Sequence, residues 1–439
     1  MTSKILLDNS DKIFRGHIVS PVTDVEILDI ENGAMVVDRH GKIKAVCCFD
    51  DLKDVSKDVL IVDYGQKLLF PGFIDMHLHL PQIAQTGRSG EHLLKWLEKY
   101  IFPAEARFSD IEHARVMANW FFDELLRNGT TTACVFTTIH KDATDAAFEV
   151  AKQKGNRVIM GKVLMDTNCP DELREEVEAG IDESLELLDK WHMVDDGRLM
   201  YAFVPRFAVT STSKLMNKVS QSWLANKGTY MHTHLAESFG EIEFVKELFP
   251  RSRSYVEVYH DHGLVHDHSI FAHAIHLDES DMELLKVQSS SLAHCPSSNF
   301  FLKSGIFKYN RIREAQIKFG LGSDVAAGPQ MSMFQVMKDA NYIQAEDWLD
   351  ARELFYRATL GSARALNLEE KVGSLSSGKE ADFIVCDPTR RNAIANDMLE
   401  NEIDDVLSAL VFLGDDRLIE ATYVRGFKVY DATKETVSV

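Results

Sequence analysis

Between residues 68 and 322 the chain alternates two kinds of segment, and that alternation limits its fold more than any other feature. Short runs of β-branched or apolar residues recur at 68–75, 130–136, 157–165, 199–203, 229–234, 269–274, 290–294 and 317–322. Most of the intervals hold amphipathic stretches of helical period, such as 110–128 and 241–248. A strand that runs parallel to its predecessor needs a long crossover, and a helix fills it. Eight such units predict an α/β protein built on a parallel (β/α)8 barrel of the TIM type. In such barrels the reacting groups stand at the C-terminal ends of the strands.

The flanks read differently. Residues 1–68 suggest short strands at 15–19, 34–37 and 43–46, the last two punctuated by Gly33 and Gly41, and similar runs return at 382–388 and 419–426. Chain ends often lie close together. A composite β-sandwich domain built from both termini is therefore expected, with divisions at 1–68, 69–371 for the barrel and 372–439. The net charge of −20 argues against a surface for nucleic-acid phosphates. Six cysteines without a CxxC spacing fit a reduced cytoplasm better than a disulfide framework. The N-terminal segment lacks a sustained apolar stretch, and no apolar run reaches membrane-spanning length. The expectation is a cytoplasmic protein with neither a membrane nor a nucleic-acid partner.

Chemistry-bearing residues fall at the predicted strand ends. His77 and His79 are two apart, so in an extended chain their imidazoles share a face. His234 closes the fifth run, His273 the sixth and Asp324 follows the eighth. Three imidazoles and a carboxylate suit zinc or iron and leave a position for water, whose pKa such a metal lowers toward ~7. Glu237, three residues past His234, is placed to move a proton without itself being a ligand, and His273 to stabilise developing charge. His232 shares a face with His234, and the spacing to Glu237 favours His234 as the ligand.

The segments PGFIDMHLH, HTHLAE, the histidine of AHA and the GSD triplet resemble the amidohydrolase superfamily, in its mononuclear deaminase branch. WLEKYIFPAEARF and VPRF are the more specific matches, and they point within that branch to deaminases acting on guanine. Matches run from about residue 70 to 425. The resemblance implies hydrolysis of guanine's exocyclic amine to give xanthine and ammonia. It implies His77, His79, His234 and Asp324 as ligands of one zinc ion per subunit, with iron the alternative. Glu237, His273 and Asp324 are then the catalytic groups. Gln82, Arg206, Phe207 and Trp96 are the base-reading residues, and the assembly is a homodimer. Two departures, AHA for an expected AHG and SDVAAG for TDVAGG, exchange small residues for small ones. Another heterocycle aminohydrolase, or a silent structural relative, stays open as an alternative. Lys162 and Cys295 read as structural, His294 as a loop support or site residue, and the group His260, His262, His266 and His268 as a solvated helix–loop region.

Overall fold

The computed structural model describes residues 8, 10–53, 55–88, 92–345, 347–391 and 402–434. Residues 1–7, read above for an apolar leader, lie outside these. Four strands come first: β1 (Lys12–Pro21), β2 (Ile27–Val37), β3 (Ile43–Cys48) and β4 (Leu60–Pro71). The central strands follow as β5 (Phe73–His79), β6 (Thr130–Phe136), β7 (Arg157–Gly161), β8 (Val163–Leu164), β9 (Leu199–Pro205), β10 (Tyr230–Leu235), β11 (Ser269–His273), β12 (Ser291–His294) and β13 (Lys318–Leu321). The chain closes with β14 (Phe383–Cys386), β15 (Ile419–Val424) and β16 (Phe427–Asp431).

The central strands run in the order β13-β12-β11-β10-β9-β7-β6-β5, all parallel, with β8 beside β9. Strands covered on both faces by barrel interior and helices need apolar residues throughout, and β5, β6, β7 and β9 are buried along their whole length. No ladder joins β13 to β5. The seam is drawn together just past the strand ends, where the Asp324 N–H donates to the His77 carbonyl at 2.8 Å and the His79 N–H to the Val325 carbonyl at 3.0 Å. The outcome is a nearly closed eight-position barrel, as the alternation predicts.

Two predicted strands are corrected. The run 68–75 is not one strand: 68–71 ends β4 and pairs with β14, and the barrel strand begins at Phe73. The break falls at Gly72, which packs so closely on Thr131 that a Cβ would lie 2.1 Å from its Oγ1. The run 157–165 divides into β7 and β8 at Lys162. A Cβ on Gly161 would come within 1.8 Å of the Ala202 carbonyl, so the backbones meet too closely there for any side chain.

The terminal strands form one seven-stranded path, β16-β15-β14-β4-β1-β2-β3, in which only β1 and β4 are parallel. Both chain ends contribute, as expected, in a single hydrogen-bonded sheet with its own core. Phe14 meets Phe383 and Tyr423 edge-on at 4.8 and 5.1 Å, and those two rings stack at 4.4 Å. β4 ends at Pro71 and β5 begins at Phe73, so the chain passes from sheet to barrel across the single residue Gly72. Arg157, the fully buried first residue of β7, reaches into the sheet and pairs with Glu380 and Asp382. Among the described residues no helix is long and apolar enough to cross a membrane.

Candidate active site

Parallel pairing puts His234 beside Ala272 and Leu235 beside His273, so both histidines top neighbouring strands. Asp324 stands opposite, in a left-handed backbone conformation (φ 50°) that its N–H bond to His77 helps hold. One ligand atom from each of His77, His79, His234 and Asp324 falls within 4.8 Å of the others. Asp324 Oδ1 is 3.3 Å from both His77 Nε2 and His79 Nε2, and His79 Nε2 is 3.2 Å from His234 Nε2.

Protonation decides whether this set suits a cation. His234 Nδ1 lies 2.7 Å from the Arg206 carbonyl, an acceptor, so Nδ1 carries the hydrogen and Nε2 keeps its lone pair free toward the centre of the group. His77 Nδ1 is engaged by His232 Nε2 at 3.0 Å, which frees His77 Nε2; it has no hydrogen-bond partner. Burial lowers all three imidazoles, His77 to about 3, which keeps them neutral. Burial alone would raise Asp324, but contacts from His77 and His79 outweigh it and hold the carboxyl well below its usual range. Neutral imidazoles and an ionised carboxylate are the forms a metal requires. The donor set fits a zinc- or iron-type ion.

Beside it lies a pair able to move protons. Glu237 is 2% exposed, and burial pushes its carboxyl up to about 7 against the pull of His273. Ser304 Oγ donates to Glu237 Oε1 at 2.9 Å. The residue is located by a capping box on the helix Phe239–Leu248: Ser238 and Glu241 satisfy each other's backbone N–H, and Glu241 also accepts the Glu237 N–H at 2.9 Å. His273 Nε2 stands 3.6 Å from both Glu237 Oε2 and Asp324 Oδ2. Its Nδ1 faces Asn299 Oδ1 at 2.9 Å. Burial would lower this imidazole, yet the two carboxylates raise it on balance, so it is suited to share a proton or meet negative charge.

These groups form one end of a narrow, half-open pocket whose other walls include Gln82, Trp96, Arg206 and Phe207. Arg206 follows β9 directly, and its NH1 meets Glu105 Oε2 at 2.5 Å, both groups 2% exposed. Gln82 Nε2 donates to Glu105 Oε1 at 3.1 Å. Trp96 is anchored by its indole N–H on the Arg88 carbonyl at 2.6 Å.

The sequence matches the amidohydrolase family over residues 68–429. The chain belongs to the amidohydrolase family. Within it, the chain is 41% identical to the guanine deaminase of Escherichia coli (strain K12) over 407 residues, covering 92% of each chain. Among solved structures it is similar to E. coli guanine deaminase, with a TM-score of 0.93 at 39% identity over 96% of this chain and all of the other. It is also similar to the C. acetobutylicum guanine deaminase with guanine bound in its active site (TM-score 0.89, 30% identity, 96% and 100% covered).

In this amidohydrolase every residue singled out from sequence for the site is brought to one cavity or its floor. His232 lies beneath, as the hydrogen-bond partner of His77, outside the four-residue set. His294 is buried with neither ring nitrogen hydrogen-bonded and stacks on Phe307 at 4.3 Å, a packing position. Lys162 turns outward from the strand break to Glu175 and Glu183, so it is structural. The set His260, His262, His266 and His268 forms no metal-type group among the described residues. Three contributors escaped the sequence reading: Glu105, Ser304 and Asp75. Asp75 Oδ1 accepts the N–H groups of His77 and Ser323, tying the segments that carry His77 and Asp324 together. A carboxylate within the otherwise apolar start of PGFIDMHLH was the available signal for it.

Proposed function

We propose that the chain hydrolyses guanine to xanthine and ammonia, in purine catabolism or salvage. The observation that carries this reading is the buried group Arg206–Glu105–Gln82, whose Arg206 and Gln82 line the same cavity as the imidazole–carboxylate set. A planar base fits between them, with a carbonyl edge toward the donors and an amine-bearing carbon toward Asp324 and Glu237. Arg206 and Gln82 donate to that carbonyl while Phe207 and Trp96 confine the ring. His77, His79, His234 and Asp324 would hold one zinc ion, with iron the other candidate for this donor set. Such an ion polarises water and steadies negative oxygen when bound.

Asp324, ionised, accepts a proton from the attacking water. Glu237 gives its proton to the ring nitrogen next to the amine-bearing carbon, which makes that carbon electrophilic. It then takes up the water proton from Asp324 and delivers it to the departing nitrogen, and as ammonia leaves, the hydroxyl on that carbon returns its proton to Glu237 and becomes the new carbonyl. A carboxyl held near neutrality can give and accept within one cycle. His273 faces both carboxylates and balances the charge that forms between them. The sum is guanine plus water to xanthine plus ammonia.

The reading includes a cytoplasmic homodimer with residues 1–68 and 372–439 as one domain around the barrel at 69–371, carried by the family resemblance and the shared terminal sheet. The test is ammonia release from guanine, adenine and cytosine at neutral pH, with metal analysis of the same preparation. Guanine should be turned over far faster than the others by protein holding about one ion per chain. Equal rates on adenine, or release from metal-free protein, would overturn the reading.

A further inference from the structure

We propose that Glu105 is the positioning residue that fixes the hydrogen-bond pattern presented to the base's carbonyl edge. The inference rests on the guanine reading above and concerns a residue outside the groups that meet the reacting carbon. Glu105 lies on the short helix Phe102–Ala106 and is 2% exposed. Each of its oxygens holds one wall residue: Oε2 takes Arg206 NH1 at 2.5 Å, and Oε1 takes Gln82 Nε2 at 3.1 Å.

A carboxylate only accepts. Gln82 must therefore turn its amide nitrogen to Glu105, which leaves Oε1 toward the Ala326 N–H at 3.4 Å, where it finds a donor. One acidic side chain thus sets which end of Gln82 is which. It does the same for Arg206. That guanidinium sits over the Phe102 ring, 5.4 Å from its centroid, and Glu105 is its only ion-pair partner among the described residues. With one N–H engaged, the remaining donors of a five-donor fork stay in a fixed plane on the cavity wall. A wall of fixed donors accepts guanine's carbonyl oxygen and opposes the amine that adenine carries at the same position. Sites built this way discriminate strongly, because a mismatched base leaves buried donors unpaired.

A buried ion pair is a weak source of stability, so stability alone does not account for one that links two cavity-wall residues. The distinguishing probe is 2-aminopurine, which keeps guanine's amine and ring but lacks the carbonyl oxygen. Metal-loaded parent, Glu105→Gln and Glu105→Asp proteins are compared on guanine and 2-aminopurine. Where turnover of 2-aminopurine is too slow to follow, its inhibition constant against guanine supplies the same comparison. Loss of a hydrogen-bond register to a charged group predicts a fall in kcat/KM for guanine of about 10- to 100-fold, carried mostly by KM. For 2-aminopurine the change should stay within about threefold, and bound metal should be unchanged. Glu105→Asp keeps the charge but is one methylene too short to span both partners, so it should show the same loss of preference, and it serves if Glu105→Gln fails to fold. Equal losses on both bases, or an unchanged ratio in both variants, would overturn the role of Glu105. A parent that releases no ammonia from guanine would instead reject the proposed function.

Discussion

Glu237 concentrates the chemistry of the site at the residue scale, because its environment holds it between two charge states. Glutamine matches its shape and can still meet Ser304 but cannot exchange a proton. Glu237→Gln should therefore keep its metal and lose about 10²–10⁴-fold in turnover, the usual contribution of a positioned acid–base group. Near-normal rates in that variant would remove the shuttle role. A second comparison separates ligand from support. His79→Ala removes a donor atom and should leave protein without stoichiometric metal. His232→Ala removes only the group that orients His77, so metal should persist with affinity weakened about 10- to 100-fold. Competition with a chelator reads both values, and equal losses would place His232 among the ligands.

At the scale of elements, the break between β7 and β8 explains why Lys162 is there. The strand cannot run smoothly past the Ala202 carbonyl, and the freed side chain is buried against Glu175, whose carboxyl burial raises to about 6 despite the lysine. Lys162→Met should cost a few kcal/mol by leaving Glu175 without its cation, lowering the melting temperature while metal content stays intact. Loss of metal in that variant would make Lys162 part of the centre. The barrel strands were legible because strands buried on both faces spell themselves as apolar runs, and the group His77, His79, His234 and Asp324 because histidines and an aspartate interrupt those runs at their ends. The breaks at Gly72 and Lys162 were not legible. Each falls where a glycine packs against a residue distant in sequence, Thr131 in one case and Ala202 in the other, and the run of apolar letters continues straight through. Glu105 was hidden for a related reason. On its own helix it looks like any solvated acid, and only the fold brings Arg206, 101 positions away, onto its carboxylate.

For the whole molecule, the question is how the terminal sheet and the barrel are held together, and the buried charges at Arg157 give the answer a test. Arg157 opens β7, at the end of the strand opposite the site. It donates to Asp382 at 2.9 and 3.1 Å and to Glu380 at 2.5 Å, while Arg425 also reaches Glu380 at 2.7 Å. Burial by itself would raise the Glu380 carboxyl, but the two guanidiniums outweigh it and hold it below its ordinary value of 4.5. A carboxyl depressed in the folded state contributes stability that is complete above that ordinary value and disappears as pH falls through the lower folded value. Arg157→Met leaves Asp382 without its guanidinium and Glu380 with Arg425 alone, so at neutral pH it should lose about 3–5 kcal/mol. In acid the Glu380 carboxylate becomes neutral and no longer misses the cation. The stability gap between parent and variant should therefore narrow as pH is lowered from about 5 toward about 3. Urea midpoints measured across that interval decide the point. A gap that stays constant would mean that Arg157 joins the two parts by packing rather than by charge.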